Sequence, residues 1–185
     1  MNTLFRTLTA AGALAVLPAL AGAQQTNPIT IPMAGASDAD AVNYSTMCTG
    51  EDWVVFNAVS QQSGKIVSVC VSEGDDSTPS HLTYRYGVPD KPEMVFPAAA
   101  AGSADKFTSR RYTRPQVTYL KFEFSNGGFN YEILDGGDAE ETHTELRVVR
   151  ESDGKVVAEH TLTPQTNALS LMQLEGMTRT APFDE

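Results

Sequence analysis

An all-β domain is predicted by three features of the sequence. From about residue 48 onward, almost every segment alternates apolar and polar residues with period two, the mark of strands with one buried face. The dipeptides Asn126-Gly127 and Asp153-Gly154 stand between such runs, where tight hairpin turns need them. No long segment carries the 3.6-residue period of an amphipathic helix. Together these predict a single antiparallel β-sandwich or barrel of about eight to nine strands, built from hairpins, with a short C-terminal helix.

The first residues, MNTLFRTLTAAGALAVLPALAGAQQ, read as a leader. Arg6 precedes an apolar run that ends in Ala21-Gly22-Ala23, small residues of the kind a signal peptidase reads. The run is too short and too interrupted for a membrane span of ~20 residues. Residues 1–23 are therefore expected to be a signal peptide cleaved after Ala23, which predicts a periplasmic or secreted protein with no membrane span. Residues 24–47, rich in Pro, Ala, Gly and Asp, read as a flexible arm, and residues 48–185 as one domain.

WVVFNAVS (53–60) and KIVSVCVS (65–72) form the first hairpin. Pairing Ala58 with Val67 also pairs Phe56 with Val69 and Val54 with Val71, giving one wholly apolar face. Cys70 falls on the other face beside Ile66 and Ser68. The chain has two cysteines, and an even pair in an oxidising compartment predicts a Cys48–Cys70 disulfide. Its loop would contribute about 3 kcal/mol in the chain-entropy view. Cys48 precedes the strand, so its segment must fold back across that face.

In HLTYRYGVPDKPEMVFP (81–97), a turn centred on Asp90 pairs Tyr86 with Met94 and Tyr84 with Phe96. The tyrosines read as core, while Arg85 joins Val95 and His81 on the opposite face. In VTYLKFEFSNGGFNYEILD (117–135), a two-residue turn at Asn126-Gly127 sets Phe124 opposite Phe129, Phe122 opposite Tyr131 and Leu120 opposite Ile133. It also sets Lys121 opposite Glu132. Between THTELRVVR and VVAEHTLT, a loop with Gly154 in a left-handed conformation opposes Arg147 to Glu159 and Val149 to Val157. NALSLMQLEG is expected to hold the helix, with Asn167 as cap and Gly176 as stop.

The succession of a "KIVSVC" strand, "LTYRYG", "KPEMVFP", the "FSNGGFNYEI" hairpin and a "DGKVVAE" strand resembles a family of small, exported, functionally uncharacterised bacterial proteins. The likeness spans residues 48–162 and rests on YRYG, the KPE-apolar-Pro turn and the NGG hairpin. It implies the exported address and the fold class and brings no chemistry with it. Where relatives carry additional cysteines, this chain has Ala58 and a cysteine-free last strand, which leaves one bridge.

The formal net charge is −10, so nucleic acid is excluded as a natural partner, because phosphate contacts need clustered cations. A basic protein suits the charge better. Within this acidic chain, Arg110, Arg111 and Arg114 crowd around Tyr112. Such a group offers bidentate hydrogen bonds to a carboxylate or phosphate, and Arg85 is a further candidate. The bland reading is an edge strand whose cations discourage pairing. DGGDAEETHTE (135–145) gathers Asp135, Asp138, Glu140, Glu141 and His143, but its spacing matches no calcium loop, so an acidic turn is expected and no metal. EGDDSTPSH, with Glu73, Asp75, Asp76 and His81, reads the same way. No nucleophile elbow, zinc motif or phosphate-binding glycine loop occurs, and no catalytic residue or cofactor is expected. The reading is an exported, non-catalytic binding protein of the cell envelope, inhibitor- or immunity-like towards a basic partner. The alternatives are a binder of small anions at the arginine cluster, or an envelope hydrolase with a site assembled across strands.

Overall fold

The computed structural model describes residues 45–50, 52–73, 79–89, 91–99, 102–165, 168 and 170–183. Residues 1–23, expected to be a leader, most of the expected arm, Asp75, Asp76, Asp90 and Asn167 lie outside them. Ten strands follow one another: β1 (Trp53–Ser60), β2 (Ile66–Glu73), β3 (Pro79–Val88), β4 (Lys91–Phe96), β5 (Thr108–Arg114), β6 (Val117–Asn126), β7 (Phe129–Gly137), β8 (Thr142–Arg150), β9 (Val156–Pro164) and β10 (Arg179–Thr180). They form a single sheet in the order β10-β5-β6-β7-β8-β9-β1-β2-β3-β4, antiparallel except at the β10–β5 edge. The sheet curls into a half-barrel, so the all-β expectation holds with more strands than the sequence suggested.

The curl has a visible cause. β9 joins β1 only at Ala58↔Pro164, Val59↔Thr163 and Ser60↔Leu162, so the two halves are hinged on a short seam. Their inner faces then meet. Tyr84 of β3 lies 4.8 Å from the Phe124 ring of β6, and Phe96 of β4 stacks on Phe124 at 4.4 Å. Phe107, Phe122, Leu120, Ile133, Leu146, Val67 and Val69 are among the buried residues of the same core. Burial pushes the Tyr84 phenol far above its ordinary range, so it stays protonated.

The hairpins form where expected, but three differ in register, and in two of them a bulge also changes which face one pair lies on. In β1–β2, Ala58↔Val67 and Phe56↔Val69 pair as expected. Val54 does not face Val71, because a bulge between Val54 and Phe56 sets it against Cys70. The extra residue allows both Val55 and Phe56 to join the one core, which strict alternation would place on opposite faces. In β6–β7 the turn sits on Gly127-Gly128, with φ of +62° and +83°, one step beyond the expected Asn126-Gly127. Phe124 therefore opposes Tyr131, and Phe122 opposes Ile133. A glycine pair reaches positive φ without the Cβ cost that Asn126 would bear. The shift moves each partner by two residues, so the aromatic face survives. Lys121 now opposes Leu134, and Glu123 opposes Glu132.

In β8–β9, Gly154 has φ +69° and Arg147 faces Glu159 as expected, but a bulge sets Val149 against Val156. In β3–β4, Tyr84↔Phe96, Arg85↔Val95 and Tyr86↔Met94 pair as expected. No α-helix occurs among the described residues. The expected C-terminal helix is a 3₁₀ turn at Leu171–Leu174, capped by Ser170 Oγ, which accepts from the Met172 amide at 3.2 Å. Residues i and i+3 eclipse in such a turn, so Leu171 and Leu174 both enter the core without a second turn.

Candidate functional site

Arg85 lies on the outer face of β3, beneath a strap formed by the segment before β1. The strap is fixed at several points. Cys48 is bonded to Cys70. The Met47 amide donates to Ser68 Oγ at 3.0 Å, and Asn57 Nδ2 donates to the Ser45 carbonyl at 3.0 Å. Ser68 Oγ donates in turn to Asn57 Oδ1 at 2.8 Å, so the fold-back that the bridge requires is built on a buried polar pair. Ser45, Thr46 and Met47 thus belong to the folded body, with Met47 4 % exposed. The Arg85 guanidinium reaches towards Asp52 at 3.8 Å, and its Nε is buried without a hydrogen-bond partner among the described residues. Its place is under the strap, apart from the other predicted arginines.

Strand alternation divides the arginine cluster of β5. Arg110 is on the outer face, where Nε donates to Glu123 Oε1 at 2.7 Å and Nη1 donates to the Pro182 carbonyl at 2.8 Å. Tyr112 shares that face, its ring 5.6 Å from Phe183, and the Arg114 guanidinium lies 4.9 Å over the Tyr112 ring. Arg111 points the other way and pairs with Glu175 at 2.9 Å. The three arginines therefore do not converge on one point. The like-charge pair Glu123↔Glu132 explains part of this. Arg110 and Lys121 serve Glu123 at 2.7 and 3.7 Å, while Arg147 lies 3.9 Å from Glu132. A shallow pocket of about 170 Å³ opens on this face among Lys121, Glu132, Leu134, Glu145, Arg147 and Phe183.

The acidic β7–β8 loop is shaped by Asp138. Its Oδ1 accepts from the amides of Glu140 and Glu141, both at 2.9 Å, and these two donors hold the carboxyl below the usual aspartate range. Asp135 accepts from Thr144 Oγ1 at 2.8 Å, and His143 Nε2 meets Glu145 at 2.9 Å. Glu140 and Glu141 are exposed, and no ion pair among the described residues holds either of them. Beside the loop the sheet forks. β8 pairs with β9 only from Glu145↔Thr161 onward, after which β9 turns to β1. The fork leaves an open cleft of about 510 Å³ whose walls include Gln61, Asp135, Glu141, His143 and Thr163. Among the described residues, no group of three or more His, Cys, Asp or Glu is placed to hold a metal ion.

One contact was not legible in the sequence. Ser60 Oγ and His160 Nδ1, a hundred residues apart, meet at 2.9 Å. The pair is not built as a nucleophile and base. Ser60 is 1 % exposed, and its oxygen already accepts from the Ser63 amide at 3.2 Å. No helix among the described residues is long and apolar enough to cross a membrane. Comparison of the chain with protein-family models, with curated proteins and with solved structures finds no match.

Proposed function

We propose that this chain is an exported, non-catalytic binding protein, inhibitor- or immunity-like, that engages a basic protein partner through the acidic β7–β8 end of its sheet. The observation that carries the reading is an asymmetry in how charges are used. Arg85, Arg110, Arg111, Arg147 and Arg150 each face a carboxylate within the fold. Glu140 and Glu141 are exposed on the loop with no ion pair among the described residues, and Glu141 lines the open cleft. With those five arginines paired, the unpaired carboxylates of the β7–β8 loop make that end of the sheet a surface that attracts positive charge. The leader-like sequence of residues 1–23 and the Cys48–Cys70 bridge both support an oxidising, extracytoplasmic compartment. A small-anion site gains less support, because Arg111 lies across the strand from Arg110 and Arg114.

The test is capture of envelope proteins on the full chain, beside a Glu140→Gln/Glu141→Gln variant, with the partner's isoelectric point and association rate measured. A basic partner is expected to be held at 0.1 M salt and shed by 1 M, as the screening length falls from ~10 Å to ~3 Å. The double variant is expected to slow association by about tenfold at low salt. A partner whose binding ignores both salt and the variant would sink the proposal.

A further inference from the structure

The outer face of β6, β7 and β8 carries two adjacent cross-strand rows. Lys121, Leu134 and Glu145 stand side by side in one, and Glu123, Glu132 and Arg147 in the next. The shallow pocket of about 170 Å³ draws its lining from both rows. Its remaining wall is Phe183, set there by the C-terminal segment, whose Pro182 carbonyl accepts from Arg110 Nη1 at 2.8 Å. The side chains of Lys121, Glu132 and Glu145 are only 17, 15 and 16 % exposed, so the sheet holds these charges in place. The volume is below the roughly 300–1,000 Å³ of a drug-sized site, so the pocket admits one ring-sized group.

The formal charges of the lining cancel, Lys121 and Arg147 against Glu132 and Glu145. Arg147 Nη1 lies 3.9 Å from Glu132 Oε2, and Arg147 Nε lies 3.9 Å from Glu159. Both are ion pairs too long to be hydrogen bonds. The buried Nε has no hydrogen-bond partner among the described residues, so no bidentate pair locks this guanidinium. Glu132 Oε1 already accepts from Asn130 Nδ2 at 2.9 Å, while Oε2 faces Arg147. An oxygen atom about 2.8 Å from both Nη1 and Oε2 fits across that gap. It must accept from the guanidinium and donate to the carboxylate at once, and a hydroxyl does both. A ligand carboxylate would meet Glu132 and Glu145 with like charge, and an ammonium group would meet Lys121 and Arg147. The other walls, Leu134 and Phe183, are apolar, with the Tyr112 ring 5.6 Å from that of Phe183. A small ring with hydroxyls on its rim and apolar C–H faces satisfies both kinds of wall.

We propose that this pocket binds a terminal, uncharged sugar unit of a glycan. One hydroxyl bridges Arg147 and Glu132, the C–H face of the ring lies on Phe183, and the shallowness of the pocket leaves the far side of the ring free for the next sugar. The site asks for no net charge and uses neither Glu140 nor Glu141. It is therefore separate from the surface assigned to a basic partner.

Glucose, galactose and mannose test this, each beside its amino sugar and its uronic acid, titrated into the full chain while NMR follows the Phe183 ring and the Arg147 Nε–H. At least one neutral hexose is expected to shift both signals with a Kd on the order of millimolar. Its two charged counterparts are expected to bind about tenfold more weakly. The methyl glycoside of that hexose, whose anomeric carbon is blocked as in a chain, should bind as the free sugar does. Phe183→Ala is expected to weaken binding by about tenfold, and Phe183→Trp, which keeps an aromatic wall, to retain it. The Glu140→Gln/Glu141→Gln variant should bind the sugar as the native chain does, which keeps this test independent of the basic-partner proposal. Silence of both signals towards all three neutral hexoses overturns the inference. So does equal or tighter binding of a charged counterpart, or binding unchanged by Phe183→Ala. Loss of binding by the methyl glycoside would leave a free sugar in the pocket and overturn the assignment to a glycan.

Discussion

Single residues carry disproportionate weight where the backbone leaves no room or a charge is nearly buried. At Gly136, φ is +153° and a Cβ would run into the Thr118 carbonyl of the neighbouring strand. Gly136→Ala should therefore cost about 3 kcal/mol in urea unfolding, from strain and overpacking together. Gly127 has φ +62° but open space around it, so Gly127→Val should cost less, about 1–3 kcal/mol from backbone strain alone. Glu123 is 9 % exposed and depends on Arg110. Arg110→Gln should cost about 2 kcal/mol, and pairing it with Glu123→Gln should restore part of that, since both charges then leave together. Asp138 titrates below its ordinary value because two loop amides bind its ionised form. A depressed carboxylate orders the loop above the ordinary aspartate range, and that order is lost as pH falls through the lowered value. NMR should show the Glu140 and Glu141 amides shifting with a midpoint below ~3.9. Asp138→Asn should abolish that acid transition, and a midpoint at the ordinary value would contradict the hydrogen bonds.

At the scale of elements, hairpin faces were readable and registers less so. Period two assigns a side chain to a face by parity, and a register error of two residues leaves parity intact. That is why the β6–β7 turn can be displaced from Asn126-Gly127 to Gly127-Gly128 while Phe122 and Phe124 remain in the core. Bulges at Val54–Phe56 and Val148–Val149 have no local signature, because they answer to what packs on the far side. The strap is an element that the cysteines alone announced. Its stability should depend on them. Cys70→Ser is expected to cost about 3 kcal/mol by the loop-entropy estimate. The native chain should show an intact mass two hydrogens below the reduced value and no reactive thiol in denaturant. Loss of the bridge should also release the Met47 amide from Ser68, which hydrogen exchange would report.

For the whole molecule, the short seam between β9 and β1 decides the shape. Ala58 sits in it, fully buried and paired on both sides, with Val67 and with Pro164. Ala58→Leu should force the seam apart at a cost of about 2 kcal/mol, a lowered denaturation midpoint with unchanged slope. A neutral result would mean the halves are hinged elsewhere. The sequence by itself determined the all-β class, the inward residues of nearly every strand, and which cysteine segment had to fold back. Alternation, turn glycines and cysteine count are local, and local chemistry suffices for them. Only the tertiary structure decided that one sheet curls into a half-barrel and that the fork beside β9 opens a cleft. It also decided that the arginine cluster is split between two faces and bound to Glu123, Glu175 and the C-terminal segment. Those outcomes depend on residues distant in sequence, more than a hundred positions apart at the seam, and no short window of the sequence contains both partners of such a contact.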